Sequence, residues 1–251
     1  MAELEREMVD VGGRSTAYFT GGDGPPLVFL HGGGIVEGVG CFAPLAEHFH
    51  FIAPQMPGFD RTGLRPPVQS IDKLVDHTIG LLDQIGLGRF ALVGHSLGGW
   101  VAASLAAANP QRVSSLVIAA AYGMDAPLAN ARTMARDELY AALTNDPSIF
   151  EGLVPDGEDS EFDAARALEG ASMGGFVPGA FDPTLPAKLE TLAMPLLLLW
   201  GEDDRIVPVA HLPLWRAALP DAEVVTYPGV GHLLFWEDPA TVDAIAEFSS
   251  R

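Results

Sequence analysis

The chain has a single cysteine, Cys41, and only two lysines, Lys73 and Lys188, in 251 residues. A lone cysteine excludes an intrachain disulfide scaffold and any Cys-x-x-Cys pair. Cationic side chains are scarce: 14 Lys and Arg stand against 33 Asp and Glu, a formal charge of −19. Phosphate binding needs a basic face, so nucleic acid is not an expected partner. Long hydrophobic runs are missing too. The densest, residues 196–200, is far too short to span a bilayer, and no membrane partner is expected. Residues 1–7 carry Glu3, Glu5 and Glu7 with no apolar stretch behind them, which does not read as a signal peptide. The expected location is the cytoplasm. No His-Glu-x-x-His occurs, and no histidine is followed by glutamate, so neither a metal nor a cofactor is expected.

Apolar residues make up 48% of the chain, enough for a sizeable core, and the length fits one α/β domain as well as two small ones. The acids are spread through this apolar-rich sequence rather than run in blocks, which excludes a disordered acidic tail. Two extended runs, 6–11 and 14–20, flank Gly12-Gly13 and read as a hairpin. Further strands are expected at 27–30, 51–53, 90–93, 113–120, 196–199 and 223–226. Helices are expected after Ser70, at 100–108, near 210–219 and from Pro239. Strands alternating with helices over short connections imply an α/β fold, with a mostly parallel central sheet and helices on both faces. Residues 123–186 break the rhythm. Helices are expected there at 128–143 and 161–169, among scattered acids such as Asp156, Glu158 and Asp159. The segment reads as a lid inserted into a single domain spanning 1–251.

The strongest motif is Gly94-His95-Ser96-Leu97-Gly98. A Gly-x-Ser-x-Gly pattern is short enough to recur by chance, and it does: Gly170-Ala171-Ser172-Met173-Gly174 also fits. A nucleophile elbow requires a strand, a sharp turn, then a helix pointing its N-terminus at the site. Ser96 follows the strand 90–93 and precedes the alanine-rich stretch 100–108. Ser172 follows a helical pattern, and Gly174, Gly175 and Pro178 argue against a helix after it. Ser96 is therefore the candidate nucleophile and Ser172 a decoy.

With this motif the chain resembles the α/β-hydrolases over nearly its whole length, the lid being the least similar part. The resemblance implies an oxyanion hole from the backbone N–H groups of Gly33, in His31-Gly32-Gly33-Gly34, and of Leu97. A nucleotide loop is the alternative for the glycine run, but Glu37 stands where the last Gly of Gly-x-Gly-x-x-Gly belongs. The resemblance also implies a base and an orienting acid. His232, in Pro228-Gly229-Val230-Gly231-His232, is the candidate base. Asp204 is the candidate acid, the family's Gly-x-x-Asp pattern counted from Gly201 selecting it over Asp203, with Asp125 a third possibility. His31 is expected to hold the oxyanion loop, and His48, His50, His77 and His211 to serve on the surface or in packing. Gly34, His95, Met124, Phe150, Phe176 and Leu233 are candidate pocket residues. For Cys41, contact with the pocket and burial as a small hydrophobe both stay open.

These features imply a serine hydrolase that cleaves a small neutral carboxylic ester or lactone through an acyl-enzyme. Three alternatives stand beside it. A carbon–carbon hydrolase of ring-cleavage diketones shares the Gly-rich loop and the Asp-Asp-Arg-x-x-Pro stretch, but many such enzymes carry Asn and Trp where this chain has His95 and Leu233. A cofactor-free perhydrolase or haloperoxidase would use the same triad. A non-catalytic ligand-binding member would keep the fold without the chemistry. The negative charge, dense in the lid, disfavours anionic substrates.

Overall fold

Gly12 and Gly13 take φ of +61° and +81°, the left-handed conformation a tight hairpin turn demands, and so pair β1 (Glu5–Val11) with β2 (Arg14–Gly21). The computed structural model describes residues 3–33, 38–59, 70–129, 134–151, 160–176 and 180–251. The remaining strands are β3 (Pro26–Leu30), β4 (His50–Pro54), β5 (Phe90–His95), β6 (Val113–Ala119), β7 (Leu196–Gly201) and β8 (Glu223–Tyr227). They form one eight-stranded sheet in the order β1-β2-β4-β3-β5-β6-β7-β8. β2 meets β4 antiparallel, and every pairing from β4 across to β8 is parallel. The strands β5 and β7 are buried along their entire length, as parallel strands covered on both faces must be.

The helices are α1 (Ile71–Gln84), α2 (Leu97–Ala108), α3 (Arg136–Leu143), α4 (Ser160–Phe176), α5 (Leu185–Leu189), α6 (Leu212–Ala218), α7 (Leu234–Glu237) and α8 (Ala240–Ser249). Ser70 caps α1 as its sequence suggests, its Oγ accepting the Lys73 N–H at 3.4 Å. Helix α2 is buried almost all round, and its apolar composition fits its place against β3, β5 and β6. A ring cluster fills the space under the sheet, with Phe42 lying 4.2 Å from Phe29, 5.7 Å from Phe51 and 5.2 Å from Phe235. Among the described residues no helix is long and apolar enough to cross a membrane.

Two expectations for residues 123–186 need correction. The first helix spans only Arg136–Leu143; residues 127–129 are not helical, and 130–133 lie outside the described residues. The second runs well past Glu169, through Ser172, Gly174 and Gly175 to Phe176. Its glycines do not stop it because packing outweighs propensity there: Ser172 Oγ donates to Gly58 O at 3.0 Å and Phe176 packs edge-on to Trp100. Ser172 thus sits within a helix. Gly174 and Gly175 do not end the helix, Pro178 lies outside the described residues, and Ser172, inside the helix, makes no elbow.

Sheet order fixes where a site can form. The chain leaves β3 toward β4 on one side and later returns as β5 on the other. This reversal opens a crevice at the carboxyl ends of β3 and β5. Leu30 pairs with Gly94, so the loop after Leu30 and the turn after His95 emerge side by side.

Candidate active site

Ser96 is the residue between β5 and α2. Its φ of +57° and ψ of −121° are costly for a residue with a side chain and mark a sharp elbow. The glycines around it make the turn possible. A Cβ on Gly98 would fall 2.1 Å from Leu30 O, and one on Gly94 would fall 2.4 Å from Gly98 O. Any larger residue would push helix and strand apart.

Ser96 is 4% exposed, and its Oγ lies 3.0 Å from His232 Nε2. The other ring nitrogen, Nδ1, lies 2.8 Å from Asp204 Oδ2. Asp204 Oδ1 accepts the backbone N–H groups of Ile206 and Val207, each at 2.8 Å. These donors compensate a carboxylate whose side chain is fully buried and fix which oxygen faces the histidine. With Asp204 accepting, Nδ1 carries the proton and Nε2 turns its lone pair toward Ser96. Burial, and next the nearby charge of Asp204, push the Tyr122 phenol well above its ordinary value.

The competing acids lie elsewhere. Asp203 is exposed and accepts Asn145 Nδ2 at 3.1 Å, Glu202 accepts Thr226 Oγ1, and Asp125 is exposed. Among the histidines, His31 pins the loop after β3: its Nε2 accepts the Met56 N–H at 2.9 Å and its Nδ1 faces Gly32 O at 2.6 Å. His77 and His50 bond Thr16 and Thr20, and His211 reaches Pro127 O; His48 is exposed. The loop that His31 holds abuts the nucleophile, since a Cβ on Gly32 would sit 2.9 Å from Ser96 Cβ. Leu97 opens α2, where helix geometry leaves its N–H without an intrahelical partner. Gly34 lies outside the described residues.

The candidate pocket residues separate. Met124 and Phe176 are buried, Phe176 against Trp100 at 6.2 Å. Phe150 instead stacks on Tyr140 at 4.2 Å, and Leu233 is buried with its N–H donated to Leu143 O. His95 directs Nε2 to the His232 carbonyl oxygen at 2.8 Å, while its Nδ1 stays beside Gly32, 3.3 Å from where a Cβ there would lie. Two residues with no assigned role join the site: a Cβ on Gly33 would lie 2.9 Å from Met173 Sδ and 3.5 Å from Phe59. Nothing in their local sequences, Gly58-Phe59-Asp60 and Ser172-Met173-Gly174, pointed to the site. Cys41 is half-buried, and burial pushes its thiol well above the ordinary range, which suits a small hydrophobe.

A strained serine at a strand–helix elbow after β5, beside a histidine after β8 held by a buried carboxylate after β7, is the architecture of the α/β-hydrolases. The chain belongs to that family, the alpha/beta hydrolase family, which it matches over residues 27–245. It is 27% identical over 273 residues to an uncharacterized protein of Mycobacterium tuberculosis, covering 95% of this chain and 79% of that one. It is also 27% identical over 243 residues to a 2-hydroxy-6-oxo-6-phenylhexa-2,4-dienoate hydrolase of Burkholderia cepacia, covering 86% and 84% of the two chains. A solved serine hydrolase from the polyaromatic hydrocarbon-degrading bacterium Cycloclasticus zankles shares the fold, with a TM-score of 0.83 over 98% of each chain at 20% identity.

Proposed function

We propose that this chain is a serine hydrolase that cleaves a small neutral carboxylic ester or lactone through an acyl-enzyme, with Ser96 as nucleophile, His232 as base and Asp204 as the orienting acid. The observation that carries this reading is the continuous relay from Asp204 through His232 to Ser96, at 2.8 and 3.0 Å. Ser96 Oγ attacks the carbonyl carbon while its proton passes to His232 Nε2. The resulting imidazolium is stabilised by Asp204 and then protonates the leaving alkoxide. Water, deprotonated by the same histidine, attacks the acyl-enzyme and releases the acid. The N–H groups of Leu97 and Gly33 are our candidates for holding the oxyanion, and Gly33 opens to solvent beside Met173 and Phe59. Residues 123–186 act as a cap in this account, and the protein works in the cytoplasm on a small molecule.

A second reading, carbon–carbon hydrolysis, is favoured by the similarity to the Burkholderia cepacia dienoate hydrolase. Its substrates would be anionic, which the formal charge of −19 disfavours. A panel of p-nitrophenyl esters, lactones and dienol-diketones decides between them. Neutral esters and lactones should be turned over fastest, and Ser96→Ala should lower kcat by about 10⁶, the scale of a broken triad. Faster turnover of the diketones would favour the second reading, and full activity in Ser96→Ala would overturn both.

A further inference from the structure

His95 adjoins the nucleophile and is buried, at 2% exposed, yet the reaction above gives it no task. Its Nε2 lies 2.8 Å from the carbonyl oxygen of His232. A carbonyl only accepts, so Nε2 carries the hydrogen and donates. The two imidazoles lie 4.9 Å apart, while Phe235 and Trp236 close the far side of His95 at 5.6 and 5.7 Å. Trp236 is itself anchored, donating Nε1–H to Gly38 O at 2.6 Å. The His95 ring therefore cannot swing away without disturbing a packed aromatic wall.

The elbow explains why this neighbour is available. The turn at Ser96 sends consecutive side chains in different directions. Ser96 reaches the ring of His232 and His95 reaches its main chain, so one dipeptide grips the base at both ends. The grip matters because the segment leading to His232 holds Gly229, at φ +74°, and Gly231. Such a segment is pliable, and the peptide carrying the His232 carbonyl has another tie, its Leu233 N–H donated to Leu143 O at 3.0 Å. We infer that His95 is a positioning residue: its Nε2–H holds the carbonyl side of the His232 peptide, opposite the Leu233–Leu143 bond, and thereby sets the reach of the His232 ring to Ser96.

Charge favours the same assignment. Burial, then the neighbouring His232 and His31, hold the His95 ring well below the ordinary histidine range. The carboxylate of Asp204 faces His232 and not His95. The proton taken from Ser96 thus stays on His232 while His95 remains a neutral donor.

The inference rests on the proposed reaction for its kinetic readout, so a second readout needs no substrate. Three variants are made. His95→Gln keeps an amide N–H near the position of Nε2, His95→Asn is too short to reach the carbonyl, and His95→Leu removes the donor. Each is assayed with p-nitrophenyl acetate, and the deshielded Nδ1 proton of the His232–Asp204 hydrogen bond is followed by NMR. Leaving a buried acceptor unpaired should lower kcat about tenfold to a hundredfold in His95→Leu and His95→Asn, with KM changed less than about threefold. The Nδ1 resonance should shift or broaden in both, and His95→Gln should restore most of the rate and the wild-type resonance. If His95→Leu does not fold, the Gln and Asn pair gives the same comparison. Equal losses in Gln and Asn, or an unchanged resonance in Asn, would overturn the inference. If the wild type proves inactive toward esters, the reaction proposal fails while the resonance still decides the role of His95.

Discussion

Asp204 and Asp203 are adjacent in the chain yet meet different surroundings, and the difference yields a sharp prediction. Asp204 Oδ1 is committed to the N–H groups of Ile206 and Val207, so an asparagine there must present its NH₂ to His232. Two donors would then face each other, and the histidine would turn to the wrong tautomer for taking the Ser96 proton. Asp204→Asn should lower kcat by about 10⁴, the scale seen when a triad acid is replaced this way. Asp203→Asn, on an exposed side chain, should stay within about threefold. Steady-state kinetics on one ester checks both, and equal losses would reassign the acid. At this scale Ser96, His232 and Asp204 were legible because each lies in a short local pattern. The contacts of His95 with the His232 main chain and of Met173 with Gly33 were not, because they join residues far apart in sequence.

The central strands were legible as elements, since unbroken apolar runs such as Leu196–Gly201 have few alternatives to a buried parallel strand. The segment between β6 and β7 was not. Its helices are set by contacts such as Ser172 with Gly58 rather than by their own glycine-containing sequence. Contacts of the same long-range kind tie this segment to the catalytic loops. Asn145 donates to Gly229 O at 2.9 Å and to Asp203, while Arg205 donates to Asn145 Oδ1 at 2.7 Å. Glu237 accepts the N–H groups of both Asn145 and Gly231. Asn145, just past α3, therefore braces the loops that carry Asp204 and His232. Asn145→Ala should speed hydrogen exchange at the amides of Asp203, Val230 and Leu233 while leaving those of β5 and β6 unchanged. Unchanged exchange at all three would show that the brace does not hold these loops.

For the whole molecule, the reversal of strand order between β3 and β5 places the site, and the charge of −19 biases what reaches it. Of the acids expected to concentrate that bias in the cap, Asp156, Glu158 and Asp159 lie outside the described residues, while Glu151 and Asp163 are exposed. The field can still be read in solution. Raising ionic strength should increase kcat/KM for an anionic ester several-fold and leave a neutral ester of the same acyl group unchanged, because salt screens only the charged encounter. Parallel salt responses for the two esters would remove charge as a selector. The central claim, acyl transfer through Ser96, is tested most directly by quenching turnover of p-nitrophenyl acetate in acid and mapping the adduct by peptide mass spectrometry. The account predicts one acetyl group on the peptide carrying Ser96, none on the peptide carrying Ser172, and none in Ser96→Ala. Ester hydrolysis that persists in Ser96→Ala, with no acetylated peptide in the wild type, would contradict it.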